Sequence, residues 1–181
     1  MIEQQVLPAV RRMKDFETLL ESDTEYMVFL ETRIGLLKSM VREAKKKGKT
    51  VFIHADLVQG LKTDEYGMEY LGREIRPDGI ISTRSGVIQQ AKRYGITSVQ
   101  RLFLIDSQAL LQNKKQVLKT APDYIELLPG ILPGMIAEIK QELEIPIIAG
   151  GLIRTAREVD EALSAGAVSV STSQPELWRF A

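Results

Sequence analysis

The chain has 181 residues, 44% hydrophobic and 27% charged, with 24 Lys and Arg balanced by 24 Asp and Glu. That is the length of a single domain with a substantial core, and zero net charge argues against a generic polycationic nucleic-acid coat while leaving room for a local basic patch. With no Cys and a single His, disulfides, thiolate metal sites and a multi-histidine zinc site are excluded.

No apolar run approaches the roughly 20 residues that span a bilayer, and no signal-peptide core opens the chain, so the expected location is cytoplasmic. From the N-terminus, Gln4-Gln5-Val6-Leu7 reads as a short first strand closed by Pro8. Further strands begin near Met27 (MVFL), Val51 (VFIH), Gly79 (GIIS), Arg101 (RLFLI), Tyr124 (YIELL), Ile147 (IIAG) and Ala167 (AVSVS), at separations of 24, 28, 22, 23, 23 and 20 residues. Helical stripes lie between them. Arg11 to Glu21 carries Met13, Phe16, Leu19 and Leu20; Arg33 to Lys47 carries Ile34, Leu37, Met40, Val41 and Ala44 and stops at Gly48. Tyr66 to Ile75, Val87 to Tyr94, Ser107 to Thr120, Pro133 to Leu143 and Ala156 to Ala165 follow. Asp106-Ser107 supplies a cap signal and Pro133 a first-turn proline.

Such regular strand–helix alternation predicts βαβ units and a parallel sheet. Eight units suggest a compact (β/α)₈ TIM-type barrel of the α/β class, residues 1–181 forming one domain with a short N-terminal first strand. A doubly wound open sheet would place its glycine-rich phosphate loop after the first strand. Here the pair Gly150-Gly151 follows the penultimate strand, where barrels place it.

The loops that follow the strands of a barrel share one face, so polar strand ends are candidate ligand contacts. IPIIAGGLIRT and AGAVSVSTS give adjacent junctions, one with Gly150 and Gly151, the other with Ser171, Thr172 and Ser173. Helix-start amides and close-approaching glycine suit a phosphate there, with plain turn geometry the alternative. His54 and Asp56 point the same way if the strand is still extended, as a general base pair or as rim residues. Glu126 interrupts an apolar run and needs a ligand hydroxyl or a cation such as Arg84 or Arg101. Lys62 could reach a phosphate as a point charge or simply be solvated. The runs Arg11-Arg12-Met13-Lys14 and Lys45 to Lys49 read as solvated surface, and both are candidates for RNA phosphates.

Taken together, LPAVRRMKDFE, HADLVQGLKTDEYGMEYL, PDGIISTRSGVIQQAKRYGITSVQRLFLIDS, PDYIELLPGILP, IPIIAGGLIRT and AGAVSVSTSQPELW resemble the glycerol-3-phosphate responsive antiterminator family, the GlpP proteins. The resemblance implies a barrel that senses glycerol 3-phosphate and acts on leader mRNA of glycerol-utilisation genes, letting polymerase pass a terminator. Phosphate binding would fall to Gly150, Gly151, Ser171, Thr172 and Ser173, and polar contacts to His54, Asp56, Lys62, Arg84 and Glu126. The expectation is a regulator of transcription in glycerol metabolism, with no catalytic residue, metal or cofactor. The alternative is a phosphosugar-binding barrel enzyme of aldolase or epimerase type. It lacks a strand-embedded Schiff-base lysine and rests on His54, Asp56 and Glu126 alone. The RNA surface and the oligomeric state stay open, a homo-oligomer being one option.

Overall fold

The alternation is realised as a closed ring. In the computed structural model, which describes residues 2–180, eight parallel strands close into a barrel. They are β1 (Val6–Val10), β2 (Tyr26–Phe29), β3 (Thr50–His54), β4 (Gly79–Ser82), β5 (Thr97–Phe103), β6 (Tyr124–Leu128), β7 (Ile147–Gly150) and β8 (Ser169–Thr172). Consecutive strands pair, and β1 closes the ring on β8 with Val6 opposite Val170. The intervening helices are α1 (Met13–Leu20), α2 (Ile34–Lys46), α3 (Glu65–Tyr70), α4 (Ser85–Arg93), α5 (Ser107–Thr120), α6 (Pro133–Leu143) and α7 (Ala156–Ser164).

Two apolar layers hold the ring. The outer one lies between strands and helices and includes Phe16, Leu37, Val41, Ile53, Ile80 and Ile125. In α2 the residues Leu37, Met40, Val41 and Ala44 are buried as the 3.6-residue stripe predicts. Each large side chain so buried contributes about 1.5–3 kcal/mol. The inner layer fills the barrel with Leu7, Val28, Phe52, Ile81, Val99, Tyr124 and Ile148. Ile2 covers the lower end, its amide donating to the Tyr124 hydroxyl at 3.0 Å. The helix α5 is the least embedded of the long helices, burying only Val117 and Thr120. Lys114 ties it to Glu138 (3.3 Å) and Glu142 (2.5 Å) of α6.

The structure departs from the sequence reading at four places. Pro8 does not end β1, which runs on to Val10 with Pro8 opposite Thr172. Proline's fixed φ tolerates an extended chain and removes only one ladder donor. Strand β5 starts at Thr97, not Arg101, because Ser98 and Gln100 are buried polar residues with partners: Asp123 takes Ser98, and the Gln100 side chain accepts from Thr120. The helix expected from Tyr66 to Ile75 is α-helical only to Tyr70 and continues as a wider π turn over Leu71–Ile75. A two-stranded ribbon, Thr32–Arg33 with Val58–Gln59, adds itself outside the barrel.

Candidate functional site

Side chains on a strand alternate in direction, so two residues beyond each inner-layer position lies the next layer toward the loop face. Phe52 is followed by His54, Val99 by Arg101, Tyr124 by Glu126, Ile148 by Gly150 and Ser169 by Ser171. On these strands the barrel changes from apolar to polar one step below its mouth, while β1 and β2 keep Ala9 and Leu30 at that level.

Glu126 is the centre of that layer, 1% exposed. Its Oε2 accepts from Arg101 Nε at 2.6 Å and its Oε1 from the Ser171 hydroxyl at 2.6 Å. A buried carboxylate needs both a counter-charge and hydrogen bonds, and here it has them. Gly150 makes room for the arrangement: a Cβ there would stand 2.7 Å from Ser171 Oγ and 2.8 Å from Glu126 Oε1. The terminal nitrogens of Arg101 make no hydrogen bond among the described residues, leaving donors uncommitted beside the pair.

His54 is 2% exposed, and neither ring nitrogen has a partner among the described residues. Burial first, then the nearby Arg101 charge, lowers its pKa from 6.5 to about 4, against the weaker pull of Glu126 and Asp56. At neutral pH the ring is therefore uncharged, with one N–H to give and one lone pair to accept. A buried polar group left unmet costs about 1–3 kcal/mol, which a hydroxyl bonding there would regain.

Above this layer a cavity of about 340 Å³ opens between the loops after β7 and β8. Its walls are Gly151 to Arg154, Ser171 to Gln174, and Ala9 with Arg11 at the end of β1. Gly151 and Leu152 both have left-handed backbones, φ 75° and 62°. Glycine takes that conformation freely, whereas in leucine it costs about 1–2 kcal/mol, strain of the kind that gathers at ligand clamps. The amides of Leu152 and Ser173 donate to nothing among the described residues. Free amides, two guanidinium groups and a hydroxyl around a small cavity can hold an anion of phosphate size. The Trp178 indole N–H closes the back of this wall, donating to the Thr172 carbonyl at 2.9 Å.

The profile of the glycerol-3-phosphate responsive antiterminator family matches residues 6–178. The chain belongs to that family. It is 47% identical, with a TM-score of 0.96, to a glycerol uptake operon antiterminator regulatory protein of Listeria monocytogenes, over 99% of this chain and 97% of that one. A glycerol uptake operon antiterminator-related protein of Thermotoga maritima is 29% identical with a TM-score of 0.87, over 98% of this chain and 99% of that one. An uncharacterized protein of Escherichia coli, YgcP, is 32% identical over 97% of this chain and 92% of its own length.

In this antiterminator-family protein the expected site residues fall into separate groups. Gly150, Glu126 and His54 lie in the barrel's polar layer, Gly151, Thr172 and Ser173 line the cavity, and Ser171 belongs to both. The hydroxyls of Ser171 and Thr172 are already committed, Ser171 to Glu126 and Thr172 to the Ile153 carbonyl and the Gln174 amide. The His54–Asp56 pair does not form. The chain leaves β3 at His54 and turns through Ala55–Leu57, so Asp56 faces β4, accepting from the Ser82 hydroxyl and the Thr83 amide, both at 2.8 Å. Arg84 stands on the surface between Asp56 (3.8 Å) and the Thr63 hydroxyl, stapling two loops rather than meeting Glu126. Lys62 is exposed on the same loop and lines no part of the cavity.

The helix start offered as the anion donor is also occupied. Thr155 and Glu158 form a reciprocal cap in which Glu158 accepts from the Arg154 and Thr155 amides at 2.7 and 2.9 Å. The donors facing the cavity belong to the loop before α7 and to the end of β8. Arg11 and Arg154 were not foreseen as lining residues. Arg11 becomes legible once β1 is allowed to run through Pro8, since it is then a strand-end residue like the others. Among the described residues no three metal-ligating side chains gather, and no helix is long and apolar enough to cross a membrane.

Proposed function

We propose that this protein binds glycerol 3-phosphate at the loop face of its barrel and, in the liganded state, acts on leader mRNA of glycerol-utilisation genes as an antiterminator. The observation that carries the reading is the strained Gly151-Leu152 turn, which lines a cavity together with Arg11, Arg154 and Ser173. The phosphate sits there, and the glycerol hydroxyls turn down toward Ser171, Glu126 and His54, where the polar layer offers both donors and acceptors. A charged head at the rim and a polyol tail in the mouth match the change of chemistry along the barrel axis. Membership of the antiterminator family supports the same ligand.

The protein is read as a regulator, not an enzyme. His54, the one imidazole, has no carboxylate orienting it, and Glu126 is neutralised by Arg101. General acid–base chemistry needs a group that can exchange its proton near neutral pH, which a histidine held at about 4 does not supply. For the ligand to act as a switch it must bind the RNA-competent state more tightly than the other. The test is a titration of the glycerol-uptake leader transcript with and without glycerol 3-phosphate, at several salt concentrations. Tighter RNA binding in its presence is expected; equal affinity in both conditions would end the coupling reading. Binding of the ligand itself is followed through the emission of Trp178, the single tryptophan, whose indole bonds to the carbonyl of the cavity residue Thr172.

A further inference from the structure

Of the two basic runs in the sequence, the structure ties down three lysines of one. Lys45 bonds to Asp78 and Lys47 to Glu21, while Lys49 is buried with its ammonium group on the Ser22 and Thr24 carbonyls. The other run, at the start of α1, is on the loop face and sits where three cavities meet. The phosphate cavity shares Arg11 with a second one of about 280 Å³ between the loops after β1 and β2. That second cavity shares Arg12 with a third of about 420 Å³ between α1 and the C-terminal turn Pro175–Phe180.

Charge is unevenly distributed over this line of cavities. Their walls carry six cations, Arg11, Arg12, Lys14, Arg33, Arg154 and Arg179, against two acids, Asp15 and Glu31. In the whole chain the two signs are equal, 24 and 24. Asp15 is taken up by Arg12 in two bonds of 2.9 Å, and Glu31 lies 3.8 Å from Arg11. Lys14, Arg33, Arg154 and Arg179 have no carboxylate partner among the described residues. Uncompensated like charges repel one another, so a fold that sets them side by side suits a polyanion that will separate them. Guanidinium forks match phosphate oxygens in geometry as well as charge. Between the arginines stand Met13 and Leu36, each 44% exposed, apolar surfaces of the kind an unstacked base can cover.

We propose that the RNA backbone lies along this track, from the C-terminal turn over the start of α1 to the loop after β2, with Lys14, Arg33 and Arg179 holding phosphates and Arg11 forming the wall shared with the metabolite cavity. The proposal rests on the antiterminator reading above and adds the surface to it. It accounts for how a molecule without net positive charge binds a polyanion: cations without carboxylate partners line up along one edge of the loop face. It also puts the RNA next to the metabolite, with a single guanidinium between them.

The test uses the full chain, a labelled transcript of the glycerol-uptake leader and saturating glycerol 3-phosphate, with anisotropy read between about 0.05 and 0.2 M salt. The variant Lys14→Gln/Arg33→Gln/Arg179→Gln removes three of the proposed phosphate contacts without touching the metabolite cavity. Its slope of log affinity against log salt should fall by about 2, since each contact to a single strand contributes roughly 0.7, and affinity near 0.1 M salt should fall on the order of 100-fold. A control of equal charge change elsewhere, Lys46→Gln/Lys115→Gln/Lys119→Gln, should bind as the wild type does. Calorimetric affinity for glycerol 3-phosphate, unchanged in both variants, establishes that both are folded. A triple variant that keeps the wild-type slope, or a control that loses as much as the triple variant, overturns the proposed surface while leaving the antiterminator reading intact. A wild-type protein that binds no leader RNA at all overturns both.

Discussion

Acid should loosen this protein through His54. In the unfolded chain the imidazole titrates near 6.5; in the barrel burial and the Arg101 charge hold it at about 4. Between those values the unfolded chain carries a proton that the folded chain refuses, so unfolding is favoured as the pH falls. The His54 contribution is fully present above 6.5 and is lost progressively as pH falls through 4. A separation of about 2.5 units corresponds to roughly 3.4 kcal/mol in full, of which about 2 kcal/mol is lost by pH 5. Urea unfolding of the wild type and His54→Gln, followed by circular dichroism at about pH 7.5 and pH 5, isolates this term because the carboxylates contribute to both proteins alike. The wild type should lose about 2 kcal/mol more than the variant over that interval. Parallel losses in the two proteins would show that the imidazole is not the isolated, neutral group described, and with it would go the polyol contact assigned to His54.

Three further outcomes follow from the site. Glu126→Gln leaves Arg101 charged and buried without its counter-ion, and should lower stability by about 3 kcal/mol or more in a denaturant titration; a loss below about 1 kcal/mol would mean the pair is solvated. Gly151→Ala should keep the fold at a cost of about 1 kcal/mol for its positive φ, its Cβ meeting Leu128 Cδ2 at 3.2 Å, while weakening glycerol 3-phosphate binding about tenfold, or about 1.4 kcal/mol, by Trp178 emission. Thr155→Ala should cost about 1 kcal/mol of stability with ligand affinity unchanged, because the amides it frees belong to the α7 cap. A tenfold loss of ligand affinity in that variant would return the anion to the helix start.

The fold was legible because strand spacing and helix stripes are regular, and because Gly150-Gly151 sits in the penultimate junction. What escaped were polar residues whose partners are distant in sequence. Ser98 and Gln100 look like solvent-facing residues until Asp123 and Thr120 are placed beside them, so β5 was read four residues short. Pro8 was given the breaker's role it has in open sheets, which hid Arg11 from the group of strand ends. The Glu126–Arg101 pair was foreseen as one option, since a carboxylate inside an apolar run needs a ligand hydroxyl or a cation, and the two stand opposite each other on neighbouring strands. The His54–Asp56 reading failed for a local reason: spacing of two implies one face only while the strand continues, and here it ends at His54.

The sparse anchoring of α5 has a consequence for how the barrel breathes. A 14-residue helix that buries Val117 and Thr120 alone, and leans on α6 through Lys114, can detach as a cooperative unit well before the ring unfolds. Its amides should be among the first in the helical shell to take up deuterium, and faster at high salt, which weakens the Lys114 contacts. Detachment would uncover Gln100 on the outer side of β5, one residue from Arg101 on the inner side. A packing choice on the outside of the barrel thus sets how often the strand carrying the interior cation is left without its support.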